Sequence, residues 1–84
     1  MKCTLLGFKS VNFENSDGEK IEGLKIFYAY PDDDVCGNVA DSSFVRPNVF
    51  NNFGLTLEQL ADNIDCVADM EFDRKGKLVG LSLA

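Results

Sequence analysis

The sequence predicts a single, mainly β domain with one short helix. Three observations carry this: apolar residues alternate with a period of two over several short segments, turn residues separate those segments, and only one stretch carries a helix-start signal. A chain of 84 residues makes one domain, spanning 1–84, and 45% apolar composition is enough for one core. A domain this short buries only about 60% of the surface its unfolded chain exposes, so that core is marginal.

Residues 2–13 carry Leu5, Leu6, Phe8, Val11 and Phe13. A period of two holds for Leu6 and Phe8 and then shifts to Val11 and Phe13. This predicts a long first strand with a bulge or bend near Lys9-Ser10, which Gly7 tolerates. Asn15-Ser16-Asp17-Gly18 ends it, with Gly where positive φ costs little. Residues 20–30 alternate cleanly. Ile21, Gly23, Lys25, Phe27 and Ala29 share one face, and Leu24, Ile26, Tyr28 and Tyr30 share the other. Apolar groups on both faces predict cover on both sides along part of the strand.

Pro31-Asp32-Asp33-Asp34, reinforced by Gly37-Asn38, is the next break, and a weaker strand runs from about Asn38 to Arg46. Pro47-Asn48 and Asn51-Asn52 with Gly54 read as a third loop. Thr56 and Gln59 have capping-box spacing, which predicts a helix of at most two turns over Thr56–Asn63, docked through Leu57 and Leu60. Residues 64–72 turn Ile64, Cys66, Ala68, Met70 and Phe72 one way and mostly acids the other. Asp73 to Gly76 is a hairpin turn, and residues 77–83 close the chain with Val79, Leu81 and Leu83 inward. Three strands, a helix and two strands is the order of an OB-type five-stranded Greek-key barrel. A half-open antiparallel sheet packed by one helix is the alternative.

No run approaches the roughly 20 apolar residues of a membrane span. Met1 to Leu6 begins like a secretory signal, but Gly7, Lys9 and Asn12 interrupt it and no small-residue cleavage site follows. The expectation is a cytoplasmic protein without a membrane partner. Cys3, Cys36 and Cys66 are odd in number and widely spaced, unlike a disulfide framework, and with no histidine in the chain they fall short of four soft zinc ligands. They read as reduced, small hydrophobic residues. The same lack of histidine removes the commonest acid–base group, and no nucleophile elbow, P-loop or dinucleotide fingerprint is present. No enzyme, cofactor or metal is expected.

Fourteen acids against eight bases give a net charge of −6, which repels nucleic acid at long range unless the bases gather on one face. Asp32-Asp33-Asp34 is either a hard-cation site or a solvated loop tip. Asp62, Asp65, Asp69, Glu71 and Asp73 form a second acidic stripe. That stripe is either a solvated face or a strip imitating nucleic-acid phosphates toward a basic partner protein. Arg74, Lys75 and Lys77 cluster in and after the last turn, so the charge is segregated.

Seven Phe and two Tyr are more large rings than so small a core needs. Phe8, Phe13, Phe27 and Phe72 fall at plausible inward positions, and Phe50 and Phe53 suit a flap over the barrel end or a protein contact. Tyr28 and Tyr30 share a face of the second strand, and Phe44 and Arg46 share one of the third. Rings beside Lys9, Lys25 and Arg46 make a candidate platform on which bases stack while cations take phosphates. The competing assignment completes the core or a dimer seam with these rings.

The strand ending Val11-Asn12-Phe13, the loop Asn15 to Gly18, the aromatic run Ile26 to Tyr30 and the hairpin Met70 to Val79 together resemble the small single-stranded DNA-binding proteins of filamentous phages and related mobile elements. The resemblance is one of pattern over most of the chain. It implies an OB-type barrel, a homodimer, and a non-enzymatic coat on single-stranded nucleic acid, with exposed rings on bases and Lys and Arg on phosphates. On this sequence those residues would be Tyr28, Tyr30, Phe44, Lys9, Lys25 and Arg46. The alternative is an acidic protein-interaction module, or a nucleic-acid-mimic inhibitor, acting through the acidic face.

Overall fold

A computed structural model describes residues 1–83. Among them are strands β1 (Lys2–Glu14), β2 (Lys20–Pro31) and β3 (Asn38–Val45), helices α1 (Pro47–Asn52) and α2 (Leu57–Asp62), and strands β4 (Val67–Phe72) and β5 (Leu78–Leu83). The strands form one antiparallel sheet in the order β3-β2-β1-β4-β5. The chain adopts the half-open alternative, and the barrel does not close. Among the described residues no ladder joins β3 to β5, and the bond that crosses the seam runs from the Leu78 N–H to the Ser43 hydroxyl at 3.2 Å. A side chain there satisfies a donor that barrel closure would give to backbone. A register shift at Glu71/Phe72 also kinks the β4–β5 pair.

β1 does bulge, but between Leu5 and Gly7 rather than at Lys9-Ser10. Leu6 is the extra residue and is exposed, while Leu5 and Phe8 both face inward. The bulge thus lets one strand serve the core on either side of a phase change. Thirteen residues at roughly 3.3 Å each make a strand of about 40 Å, which accounts for the 42 Å long axis of the molecule. β4 pairs with β1 only over Lys2–Thr4, and β3 joins β2 only from Leu24 onward. Beyond those points β1 and β2 run on as a two-stranded arm ending in the turn at Asn15–Gly18.

The core lies on one face of the sheet, where Cys3, Leu5, Leu24, Ile26, Tyr28, Val45, Ala68, Met70, Leu78 and Leu81 are buried with Leu60 of α2. α2 follows its sequence signal. Thr56 accepts from the Gln59 N–H at 3.1 Å, and Gln59 accepts from the Thr56 N–H at 2.9 Å. Leu60 is its sole buried residue, and Leu57 stays 46% exposed, so the docking face is narrower than expected. α1 replaces what read as a loop. Pro47 at its first turn fixes φ where no intrahelical donor is needed, and Phe50 packs edge-on to Phe53 at 5.9 Å as both half-buried rings cover the core.

Three inward assignments fail at the ends of strands, two around the C-terminal hairpin and one on the arm. Cys66 is exposed ahead of β4, next to Asp65 at φ 67°. Val79 is 48% exposed because the kink turns Leu78 inward in its place. Phe13 is 49% exposed on the arm, beyond the core. Of the cysteines, only Cys3 is the small buried hydrophobe expected of all three; burial pushes its thiol pKa up.

Candidate nucleic-acid interface

β2 separates the predicted ring platform into two parts. Its Leu24, Ile26, Tyr28, Tyr30 side faces the core, and its Gly23, Lys25, Phe27 side faces out. Tyr28 is only 4% exposed and packs against Phe72 at 5.3 Å and Tyr30 at 6.1 Å. Burial, with the nearby Asp41 carboxylate, raises its hydroxyl pKa. Tyr30 is half-buried against the same cluster. The expectation that Tyr28 stands free for a base is therefore corrected. Its ring closes the core because the β4–β5 hairpin brings Phe72 over it.

Phe44 is different. It is 38% exposed and belongs to the outer face. Cross-strand pairing sets Lys9 opposite Lys25 and Lys25 opposite Phe44, so the three form one row across β1, β2 and β3. Directly opposed residues on neighbouring strands sit about 4.5–5.5 Å apart at Cβ. The adjacent row holds Gly7, Phe27 and Ser42, and Val11 opposite Gly23 and Phe13 opposite Ile21 continue toward the arm tip. None of these rows contains a carboxylate. The Lys25 ammonium lies 5.5 Å from the centroid of Phe27, which is thus an outer-face ring and not a core one.

Gly23 shapes this surface. The Phe44 ring lies across it so closely that an added Cβ would overlap ring carbons and come within 2.6 Å of the Val45 carbonyl oxygen. A glycine is required here for the close approach of the ring to the neighbouring strand.

Phe44 also borders the open seam. A cleft of about 400 Å³ lies between β3 and the start of β5, and Ser42, Phe44, Arg46, Val49, Lys77 and Val79 contribute to its walls. Its two charged lining residues, Arg46 and Lys77, are both basic. The hairpin turn that presents Lys77 is rigidly tied. Asp73 accepts from the Lys75 and Lys77 N–H groups, each at 2.9 Å, and those bonds with the lysine charges hold its carboxyl pKa below the usual value.

Of the six predicted site residues, Lys9, Lys25 and Phe44 thus come together in one row, Arg46 joins them through the seam, and Tyr28 and Tyr30 lie on the other side of the sheet. Phe27 and Lys77 are additions. Phe27 was assignable from its alternation with Tyr28, once it was known which face the helix covers.

The β4 side of the outer sheet carries two acids, with Lys2 of β1 opposite Asp69. Asp69 and Glu71 are exposed on β4, and Asp69 lies 3.2 Å from the Met1 ammonium. Asp32 accepts from the Asp34 N–H at 2.9 Å, forming a side-chain turn in the 32–34 loop. Among the described residues no group of three or more His, Cys, Asp or Glu is placed to hold a metal ion, and no helix is long and apolar enough to cross a membrane. Comparison with protein families, curated proteins and solved structures finds no match to this chain.

Proposed function

We propose that the chain is a non-enzymatic binding protein for single-stranded nucleic acid, using the outer face of β1–β3 and the β3–β5 cleft. The carrying observation is the row Lys9–Lys25–Phe44, which runs into a cleft whose charged residues are Arg46 and Lys77. An exposed ring flanked by cations suits a base over its phosphates, and stacking of this kind is sequence-tolerant. Segregation of charge lets the face act despite the net charge of −6. None of the fourteen acids lies in the four cross-strand rows; Glu22 of β2 and Asp41 of β3 stand opposite Asn12 and Tyr28, in the inward-facing register.

The test is equilibrium binding of a labelled oligo-thymidine to the full chain across a salt series. Binding that weakens steeply with salt is expected, and Phe44→Ala should weaken it by about 1–3 kcal/mol. Replacing Arg46 and Lys77 by Gln should flatten the salt slope. No binding at low salt would reject the assignment. It would leave the second reading, a protein-interaction module presenting Asp69 and Glu71, which is supported by their exposure on one face of β4.

A further inference from the structure

The arm formed by β1 and β2 leaves one edge of β1 without a partner. Toward β4, β1 is bonded through Lys2–Thr4, and then through the Leu5 N–H to the Cys66 carbonyl at 2.9 Å and the Asp65 N–H to the Leu5 carbonyl at 2.7 Å. Among the described residues, no backbone bond is made on that side from Phe8 to Glu14. The direction of the free groups follows from the same strand. Leu5 faces inward and points its N–H away from β2. After the bulge, Phe8 and Ser10 oppose the buried Ile26 and Leu24, so they and Asn12 face inward too. In a strand, side-chain face and amide direction alternate together. The N–H groups of Ser10 and Asn12 therefore point into the open edge.

This edge lacks the usual protections. Gly7 to Glu14 contains no proline, its bulge lies before the free stretch, and Ser10-Val11-Asn12-Phe13 carries no charge. A two-stranded ribbon is at best marginally stable alone in water. On its outer face Phe13 stands 49% exposed beside Ile21.

We infer that this edge is a self-association surface, on which a second copy of the chain adds its own β1 antiparallel about a two-fold axis at Asn12. Antiparallel pairing of identical strands is isologous, so one surface completes both copies. Pairing across Asn12 sets residues that sum to 24 opposite one another, which keeps each side chain on its own face. Val11 then meets the partner's Phe13 on the outer face, while Ser10 and Asn12 exchange backbone bonds with Glu14 and Asn12 of the partner subunit. The antiparallel sense also places the Lys9 end against the partner's Glu14 end, whereas a parallel pair would oppose like charges. The two outer faces join into one continuous surface.

Sedimentation of the full chain over a concentration series tests this without any oligonucleotide. A reversible dimer is expected. Asn12→Pro removes a donor at the axis but no β1–β2 bond, and should raise the dissociation constant roughly tenfold or more. Phe13→Lys, at an exposed position, should do the same, with an unchanged melting curve at concentrations where the unmodified chain is monomeric. Amide exchange on the unmodified chain provides a readout independent of both variants. Ser10 and Asn12 should gain protection as concentration rises, while Val11 stays protected throughout. A monomer at all concentrations, a dimer indifferent to both variants, or unprotected Ser10 and Asn12 amides in the dimer would overturn the inference.

Discussion

The two faces of β2 differ in fate although their residues alternate along one strand. Ile26 and Tyr28 are sealed in, whereas Lys25 and Phe27 between them face out. Both faces carry rings and aliphatic groups, so composition alone does not separate them. Position relative to the helices and to the β4–β5 hairpin does, because only one side of the sheet receives Leu60 and Phe72. An aromatic residue in such a strand is therefore a core member or a surface contact according to what crosses its face, and substitutions on the two sides should fail in different assays.

The largest expected effect is on the inner face. Tyr28→Ala removes a ring packed on Tyr30 and Phe72 and should cost about 3–5 kcal/mol of stability by analogy with other buried aromatics. Denaturant unfolding measures this, and a loss under 1 kcal/mol would show that the ring is not a core element. In so small a domain the change consumes much of the total stability. Gly23→Ala comes next. It meets the Phe44 ring and the Val45 carbonyl together, and overpacking of this kind costs about 1–3 kcal/mol. The penalty should shrink in a Phe44→Ala background, and a double-mutant cycle with no coupling would contradict the packing of that ring on Gly23. Thr56→Ala, which breaks the capping box of α2, should cost about 1 kcal/mol in the same unfolding assay.

The smallest effect is one of pH. The Asp73 carboxyl pKa is lowered in the folded chain by the Lys77 and Lys75 backbone donors and the lysine charges. A lowered folded value means that its stabilising contribution is present above the unfolded pKa, near 4, and is lost as pH falls through the folded value. Asp73→Asn should remove that part of the acid dependence while leaving stability at neutral pH slightly reduced. An unchanged acid limb in a pH series of unfolding curves would show that the turn bonds do not favour the ionised form.

Local signals in the sequence were legible where residue type and backbone need coincide. The capping box located α2, the alternation of residues 20–30 sorted β2 into its two faces without telling that Phe27 lies on the outer one, and three of the four turn clusters are turns between strands. Signals that depend on distant chain were not. Whether β3 meets β5 is decided by the kink at Glu71/Phe72 and by the Ser43 hydroxyl, neither of which has a local pattern. The misassignment of Val79 has the same cause, since one extra residue there turns Leu78 inward in its place while Leu81 and Leu83 beyond it keep the inward face. α1 was missed because Pro47-Asn48 and Asn51-Asn52 with Gly54 are turn residues by type, and Pro47 suits a helix start only once the following turn is known to be helical. For the candidate site, the cations and Phe44 were identifiable as types, while Tyr28 had the right residue type on the wrong side of the sheet.

The outer face of β1–β3 is the proposed contact surface. A nuclear magnetic resonance titration of the full chain with oligo-thymidine reads this most directly. Shifts are predicted at the rings of Phe27 and Phe44 and at Lys9, Lys25, Arg46 and Lys77, with the Tyr28 ring unmoved. Shifts confined to Asp69 and Glu71, or centred on Tyr28, or no shifts at low salt, would contradict it.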